Sequence, residues 1–301
     1  MALRSAMRIL ILGAAAGGGL PQWNCGCRNC VDARAGRIPS LSQSSIAVSA
    51  DGARWLVLNA SPDIRAQLAA APALAPAGLR GTPIEAVMLT NGDVDHIAGL
   101  LTLREKTPFA LYATPEILGA LADNPIFGVM DPALVDRCAV QLGAPTSIAA
   151  VSVETFAVPG QVPLYLEEGE DVVTDQIGET TIGLMISDGA KTLAYAPGCA
   201  AAPDDLLARL FAADMVLFDG TVWENEEMPR LGAGKKTGAR MGHMSMTGPN
   251  GSLARLANLP GRRMYIHINN TNPVLQPESE ERRAVEAAGW TVAADGMEID
   301  L

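Results

Sequence analysis

The stretch Asn91-Gly-Asp-Val-Asp-His96 crowds an amide, two carboxylates and an imidazole into six residues. It follows directly on the apolar run Glu85–Thr90, which reads as a strand, and it leads into Ile97-Ala-Gly-Leu-Leu101. A strand that runs out into a short, glycine-bearing loop of metal-ligand side chains calls for a fold whose chemistry sits at strand ends.

The rest of the chain fits such a fold. Further strands are expected at Arg8–Leu12, Ser45–Ala50, Trp55–Ala60 and Phe109–Ala113, with helices at Pro62–Ala70 and Thr114–Leu121. The middle is strand-rich: Ser152–Val158, Val162–Glu167, Glu179–Ser187 and Lys191–Ala196. Helices at Pro203–Ala212, Asn250–Asn258 and Pro277–Ala288 then alternate with strands at Met215–Asp219, Arg263–Ile268, Trp290–Ala293 and Met297–Leu301. Strands clustered between helices predict two sheets packed together and covered by helices. The 301 residues read as one domain over 7–301, with Met1–Ala6 as a leader and 224–246, polar and rich in Gly and Met, as an inserted loop.

Composition narrows the partners. Net charge is −11 with only 22 Lys plus Arg, and no basic cluster is long enough to track a phosphate backbone, which argues against nucleic acid. No apolar run reaches the ~20 residues of a membrane helix, so stable membrane insertion is not expected. The expected partner is a soluble small molecule, and the expected compartment is the cytoplasm. Ile9–Ala16 behind Arg4 and Arg8 loosely mimics a signal peptide, but reads better as a first buried strand.

Of five cysteines, Cys25, Cys27 and Cys30 fall within six residues. Thiolates at C-x-C-x-x-C spacing can turn in on one tetrahedral zinc, and the glycines around them let the backbone wrap it. The fourth ligand must come from afar: Asn270, Asn269 or a histidine. Around the first motif, Asp95 and His96 gain a partner in His267, which ends the strand within Met264-Tyr-Ile-His-Ile-Asn-Asn270. Two histidines and a carboxylate make the facial arrangement of non-haem iron oxygenases, open to O2. Asp93 and Asp95 alone are equally explained by an Asx-turn with helix capping. His243, in the polar insertion, is an acid–base group, a substrate contact or a surface histidine. The run Gly13–Gly19 has the wrong spacing for a dinucleotide fingerprint, and no nucleophile elbow or P-loop is present.

Asn91-x-Asp93-x-Asp95-His96 resembles the H-x-H-x-D-H signature of the metallo-β-lactamase superfamily, and the cysteine clip resembles its phosphodiesterase branch. Asp95, His96 and His267 match the superfamily's second metal site. Asn91 and Asp93 stand where histidines of the first belong; its third histidine would fall near Gln161, and no carboxylate follows Tyr195. From end to end, through Gln22-Trp-Asn-Cys-Gly-Cys27, the 90–100 region and His267-Ile-Asn-Asn-Thr-Asn-Pro273, the chain is similar to the B family of coenzyme PQQ biosynthesis proteins. That resemblance implies an αββα sandwich. It implies an Fe(II)- and O2-dependent hydroxylase of the tyrosine ring in a cross-linked Glu–Tyr precursor of pyrroloquinoline quinone. Asp95, His96 and His267 would hold iron, Asp93 would be a further ligand or a base, and Asn91 would orient a ligand. Cys25, Cys27 and Cys30 would hold structural Zn(II). Arg240, Lys235 and Lys236 are candidates to pair with substrate carboxylates. The competing functions are a carrier of PQQ or its precursor, and a metal-dependent hydrolase.

Overall fold

The computed structural model describes residues 6–167 and 174–301; most of the expected leader lies outside them. Among the described residues fourteen strands form two seven-stranded sheets. The first holds β1 (Arg8–Gly13), β2 (Ser45–Ser49), β3 (Trp55–Leu58), β4 (Ile84–Met88), β5 (Phe109–Ala113), β6 (Val135–Ala139) and, at its far edge, the last strand (Glu298–Asp300), in the order last-β1-β2-β3-β4-β5-β6. The second holds β7 (Pro145–Ile148), β8 (Val151–Ala157), β9 (Ile182–Ser187), β10 (Thr192–Ala196), β11 (Met215–Asp219), β12 (Arg262–Ile266) and β13 (Trp290–Val292), side by side in chain order. From β3 to β6 and from β10 to β13 neighbouring strands are parallel.

Strand alternation sorts the core into layers. Ile9 and Ile11, Ile46 and Val48, Leu56 and Leu58, and Ala86 and Met88 point between the sheets, against Val153, Leu184, Leu193 and Leu217. The intervening Leu10, Leu12, Ala47, Trp55, Val57 and Val87 face outward. They pack under α2 (Ile64–Ala70), α3 (Val94–Ile97) and α4 (Pro115–Asp123) through Ile64, Ile97 and Ile117. On the other side, α5 (Asp204–Phe211) and α8 (Glu280–Ala287) bury Leu206, Leu210 and Val285. The layering is helix, sheet, sheet, helix.

Two expectations are corrected, and other elements were not anticipated. Val162–Glu167 is no strand but a 3-10 turn at Leu164–Leu166; Pro163 cannot donate to a ladder. The helix expected over Asn250–Asn258 shrinks to one turn, α7 (Ser252–Arg255). The edge strands β6 and β7, half-exposed and polar, carry too little apolar signal to be read. The cysteine clip, to which no element was assigned, contains a helix, α1 (Arg28–Arg34), with Cys30 on its buried side. The 224–246 stretch also has structure of its own, α6 (Glu227–Arg230) and a 3-10 turn at Ala239–Met241, tied at its base by a Val222–Ser245 bridge.

Candidate metal centre

The parallel strands of both sheets end on the same side of the sandwich. Past β4 the chain is stapled by Asn59, in a left-handed conformation at φ 62°. Its Oδ1 accepts from Thr90 N at 2.9 Å, and its Nδ2 donates to Thr90 Oγ1 at 3.0 Å. The loop then turns into α3, with Asp93 as N-cap and its carbonyl accepting from His96 N at 2.8 Å and Ile97 N at 3.0 Å. Ala60 N donates to His96 O at 2.7 Å. Gly99 lets α3 settle onto this turn, since a Cβ there would meet Ser61 O at 2.1 Å.

This fixes the chemistry of His96. Asn91 Oδ1 accepts from Asp93 N at 3.1 Å and lies 2.6 Å from His96 Nδ1. Two convergent donors identify the amide oxygen, and an oxygen can only accept, so His96 carries its proton on Nδ1. The lone pair is then on Nε2, which is buried and has no hydrogen-bond partner.

His267 comes from the end of β12 at φ 60°, a left-handed position few non-glycine residues take. Ile268 N donates to Ala14 O at 2.9 Å and Ala16 N to Ile268 O at 2.9 Å, holding it there. Asp95, His96 and His267 bring one ligand atom each within 4.8 Å of one another. His267 Nε2 is 3.1 Å and His96 Nε2 3.9 Å from Asp95 Oδ2. With bonds of about 2.1 Å, adjacent ligands of one metal ion lie roughly 3 Å apart or more, so these groups fit a single ion. Burial works to raise the Asp95 pKa, but the fields of His96 and His267 and a hydrogen bond from His267 hold it below the usual carboxylate range. Burial lowers His96 to about 4 against the opposing pull of Asp95. A charged carboxylate beside a neutral imidazole is the protonation state a metal takes.

A second group, Asp219, His243 and His267, shares the third ligand. Asp219 ends β11 and is wholly buried. Its oxygens accept from Cys199 N (2.8 Å), Thr221 N (2.9 Å), Thr221 Oγ1 (2.7 Å) and His243 Nδ1 (2.6 Å). So occupied, Asp219 orients His243 rather than offering a free metal ligand, and His243 is left with Nε2 for chemistry. Burial lowers the His243 pKa, but the charge and hydrogen bond of Asp219 outweigh it and raise the value. The His243 ring stacks on that of His267, centroids 5.1 Å apart. Thr221 Oγ1, 2.8 Å from His267 Nδ1, joins the two imidazoles. Neither Asp219 nor Thr221 was singled out from sequence. The available signal was Phe218-Asp-Gly-Thr221, a polar residue and a glycine closing a buried strand, as at 90–92.

The cysteine clip is separate. Cys25, Cys27 and Cys30 place their sulfurs within 4.8 Å of one another. The Asn270 amide nitrogen lies 3.1 Å from Cys25 Sγ, 3.3 Å from Cys30 Sγ and 3.6 Å from Cys27 Sγ, while its Oδ1 is buried without a partner. A half-turn of the amide would aim that oxygen at the sulfurs as a fourth ligand. Burial, with the neighbouring thiols Cys25 and Cys30, pushes Cys27 up to about 12, so it stays a thiol unless a cation binds between the three sulfurs. Asn29 Nδ2 donates to the carbonyls of Asn270 (3.0 Å) and Asn272 (2.8 Å), locking α1 to this strand end.

Other expected site residues fall elsewhere. Asp93 caps α3 and joins neither group. Arg240 is taken up by Glu167, with Nη2 to Oε2 at 2.9 Å and Nη1 to Oε1 at 3.2 Å. Lys236, not the exposed Lys235, stands beside it, with Nζ 3.5 Å from Glu167 Oε1. Gln161 packs on Gly242, where a Cβ would meet its Cγ at 3.1 Å, and its Oε1 is buried without a partner.

Two packed mixed sheets with ligands gathered at their strand ends define a metallo-β-lactamase-type protein, and the β-lactamase superfamily domain model matches residues 54–268. Within that class the likeness is closer. "Coenzyme PQQ synthesis protein B" of Ruegeria pomeroyi is 57% identical over 296 residues, spanning 98% of this chain and all of the relative. The crystal structure of Zn2+-bound PqqB from Methylobacterium extorquens superposes with a TM-score of 0.95 at 56% identity, covering 98% of this chain and 100% of that one. A diphosphatase of the PhnP family, at 20% identity with a TM-score of 0.69 over 98% of each chain, shares the fold. The chain belongs to the PqqB family of coenzyme PQQ synthesis proteins.

Proposed function

We propose that this protein serves PQQ biosynthesis as an Fe(II)- and O2-dependent hydroxylase, acting on the tyrosine ring of a cross-linked Glu–Tyr precursor. The observation that carries this reading is the Asp95, His96 and His267 group, in which the buried His96 Nε2 has no hydrogen-bond partner. Asp95, His96 and His267 would hold Fe(II), which supplies one-electron chemistry with O2 and keeps positions open for substrate.

The protein's own groups do the rest. Asn91 locks the His96 ring and its tautomer. Asp95 keeps 16% of its side chain exposed while His96 keeps 1%, so the centre is only partly open to solvent. His243, its Nδ1 given to Asp219, has Nε2 to take a phenolic proton as the ring becomes electron-rich. One oxygen atom enters the ring and the other leaves as water, so two electrons come from an added reductant. In the clip, Cys25, Cys27, Cys30 and the Asn270 oxygen would hold Zn(II) as a structural ion; the zinc of the Methylobacterium extorquens relative supports the assignment of zinc to this family.

A hydrolytic reading needs a second metal beside the first. Asn91 is committed to His96, and all contacts of Asp219 are committed within the protein, which speaks against it. The test is an oxygen electrode. Protein loaded anaerobically with Fe(II), given ascorbate and the cross-linked precursor, should consume O2 in step with a product heavier by one oxygen. Precursor that stays unchanged with no O2 uptake, while PQQ binds tightly, would instead favour a carrier.

A further inference from the structure

Arg240 grips Glu167 with both arms of its guanidinium, at 2.9 and 3.2 Å, and Lys236 adds a second cation at 3.5 Å. The anion is the covered member of the group. Glu167 is 10% exposed, whereas Arg240 and Lys236 keep 30% and 39% of their side chains exposed. These two cations therefore remain reachable from outside while their carboxylate lies beneath them.

The setting places this group at the rim of the centre. Two residues before Glu167, Tyr165 donates its hydroxyl to Gly92 O at 2.9 Å, inside the loop that bears Asp95 and His96. On the other side, Arg240 lies three residues ahead of His243, in a 3-10 turn that Gly242 closes at φ 73°. Gln161, from the Glu167 segment, packs on that same Gly242. Arg240 rides on the single 3-10 turn Ala239–Met241 and Glu167 directly follows another, Leu164–Leu166, both outside the two sheets. Segments with few ladder hydrogen bonds rearrange at the least cost in a fold.

We propose that Arg240 and Lys236 form a carboxylate-binding subsite for the substrate, and that Glu167 is an internal ligand which the substrate's carboxylate displaces. A guanidinium fork matches any carboxylate in the same two-bonded geometry, so the exchange preserves the pairing while swapping its acceptor. Glu167 neutralises the subsite when it is empty and competes with weak anions, so only a ligand anchored also at the centre wins the exchange. The identity of the physiological ligand rests on the PQQ reading above; the subsite itself does not.

Calorimetric titration at low salt tests this, with two probes: PQQ, itself a polycarboxylate, and glutarate as a simple dicarboxylate. Glu167→Gln should bind both about fivefold tighter than the wild type, the scale of a part-exposed ion pair. Arg240→Met should bind both about tenfold more weakly, and Arg240→Lys should fall between, keeping the charge but losing the fork. In the Glu167→Gln/Arg240→Met double variant the gain should vanish. A gain for glutarate without one for PQQ would keep the subsite and remove the PQQ reading. Unchanged affinities in Glu167→Gln, a gain that survives in the double variant, or no binding by any variant would overturn the proposal. Thermal melts that match the wild type show that the variants are folded.

Discussion

At the residue scale, the centre is decided by where single protons sit. Asn91 Oδ1 holds a proton on His96 Nδ1, and Asp219 holds one on His243 Nδ1. Thr221 Oγ1 sits between Asp219 Oδ1 at 2.7 Å and His267 Nδ1 at 2.8 Å, linking the two. His267 Nε2 lies 3.1 Å from Asp95 Oδ2, within hydrogen-bond reach, and a bound cation would take the place of the proton between them. Asn91→Ala should weaken metal binding at this centre about 10–100-fold while leaving the fold intact, the usual cost of removing a ligand's orienting partner. An anaerobic Fe(II) titration reads it; unchanged affinity would show that Asn91 does not orient His96. Asp95, His96 and His267 were legible in the sequence as ligand types at strand ends. Asp219 and Thr221 were not, because a strand-final Asp before Gly has an ordinary turn explanation, and only the fold brings it to a histidine 24 residues on. Arg240 was legible as a cation near the site, but Glu167, its partner 73 residues away, was not.

At the element scale, one strand end serves both metal groups. β12 runs out into His267 and, three residues later, into Asn270 among the cysteine sulfurs. Asn29 holds the carbonyls of Asn270 and Asn272, and Ala16 N donates to Ile268 O at 2.9 Å, so α1 and the end of β1 grip this segment on both sides. Emptying the clip should therefore loosen His267. Cys30→Ser, at a fully buried position, should lose the clip metal and bind Fe(II) at the other centre about tenfold more weakly. Equal Fe(II) affinity in a folded Cys30→Ser protein would separate the two groups. A second connection is Glu227 of α6, wholly buried, which accepts from Trp223 N at 2.7 Å and from Thr271 Oγ1. Burial raises it to about 7, despite those hydrogen bonds. Between about 4.5 and 7 the folded protein keeps a proton that the unfolded chain has lost, so stability falls as pH rises through that window. The full loss is on the order of 3 kcal/mol. Glu227→Gln should flatten this part of the profile and stabilise the protein at pH 8, as urea unfolding at pH 5 and pH 8 would show; a wild-type profile retained by the variant contradicts it. None of this was legible in a stretch that reads as a polar insertion, since a buried carboxylate has no sequence signature.

At the scale of the whole molecule, the two-sheet sandwich and its helix layers followed from the alternation of short apolar strands and helical patterns. The central strands were readable because each is apolar on both faces, as in β3 and β11, where every residue is buried. The edges were not, because β6 and β7 are wetted. Among the described residues no helix is long and apolar enough to cross a membrane. The sandwich gathers the cysteine clip and the Asp95, His96 and His267 group at one end, the second with a buried His96 Nε2 that has no hydrogen-bond partner. The central claim is that the second is a single open redox-metal site rather than half of a hydrolytic pair. Metal analysis after anaerobic loading tests it most directly. The account predicts one zinc and one Fe(II) per chain, with His96→Ala losing the iron, keeping the zinc and staying folded. Two equivalents of metal lost together in His96→Ala, or no iron retained by the wild type, would contradict it.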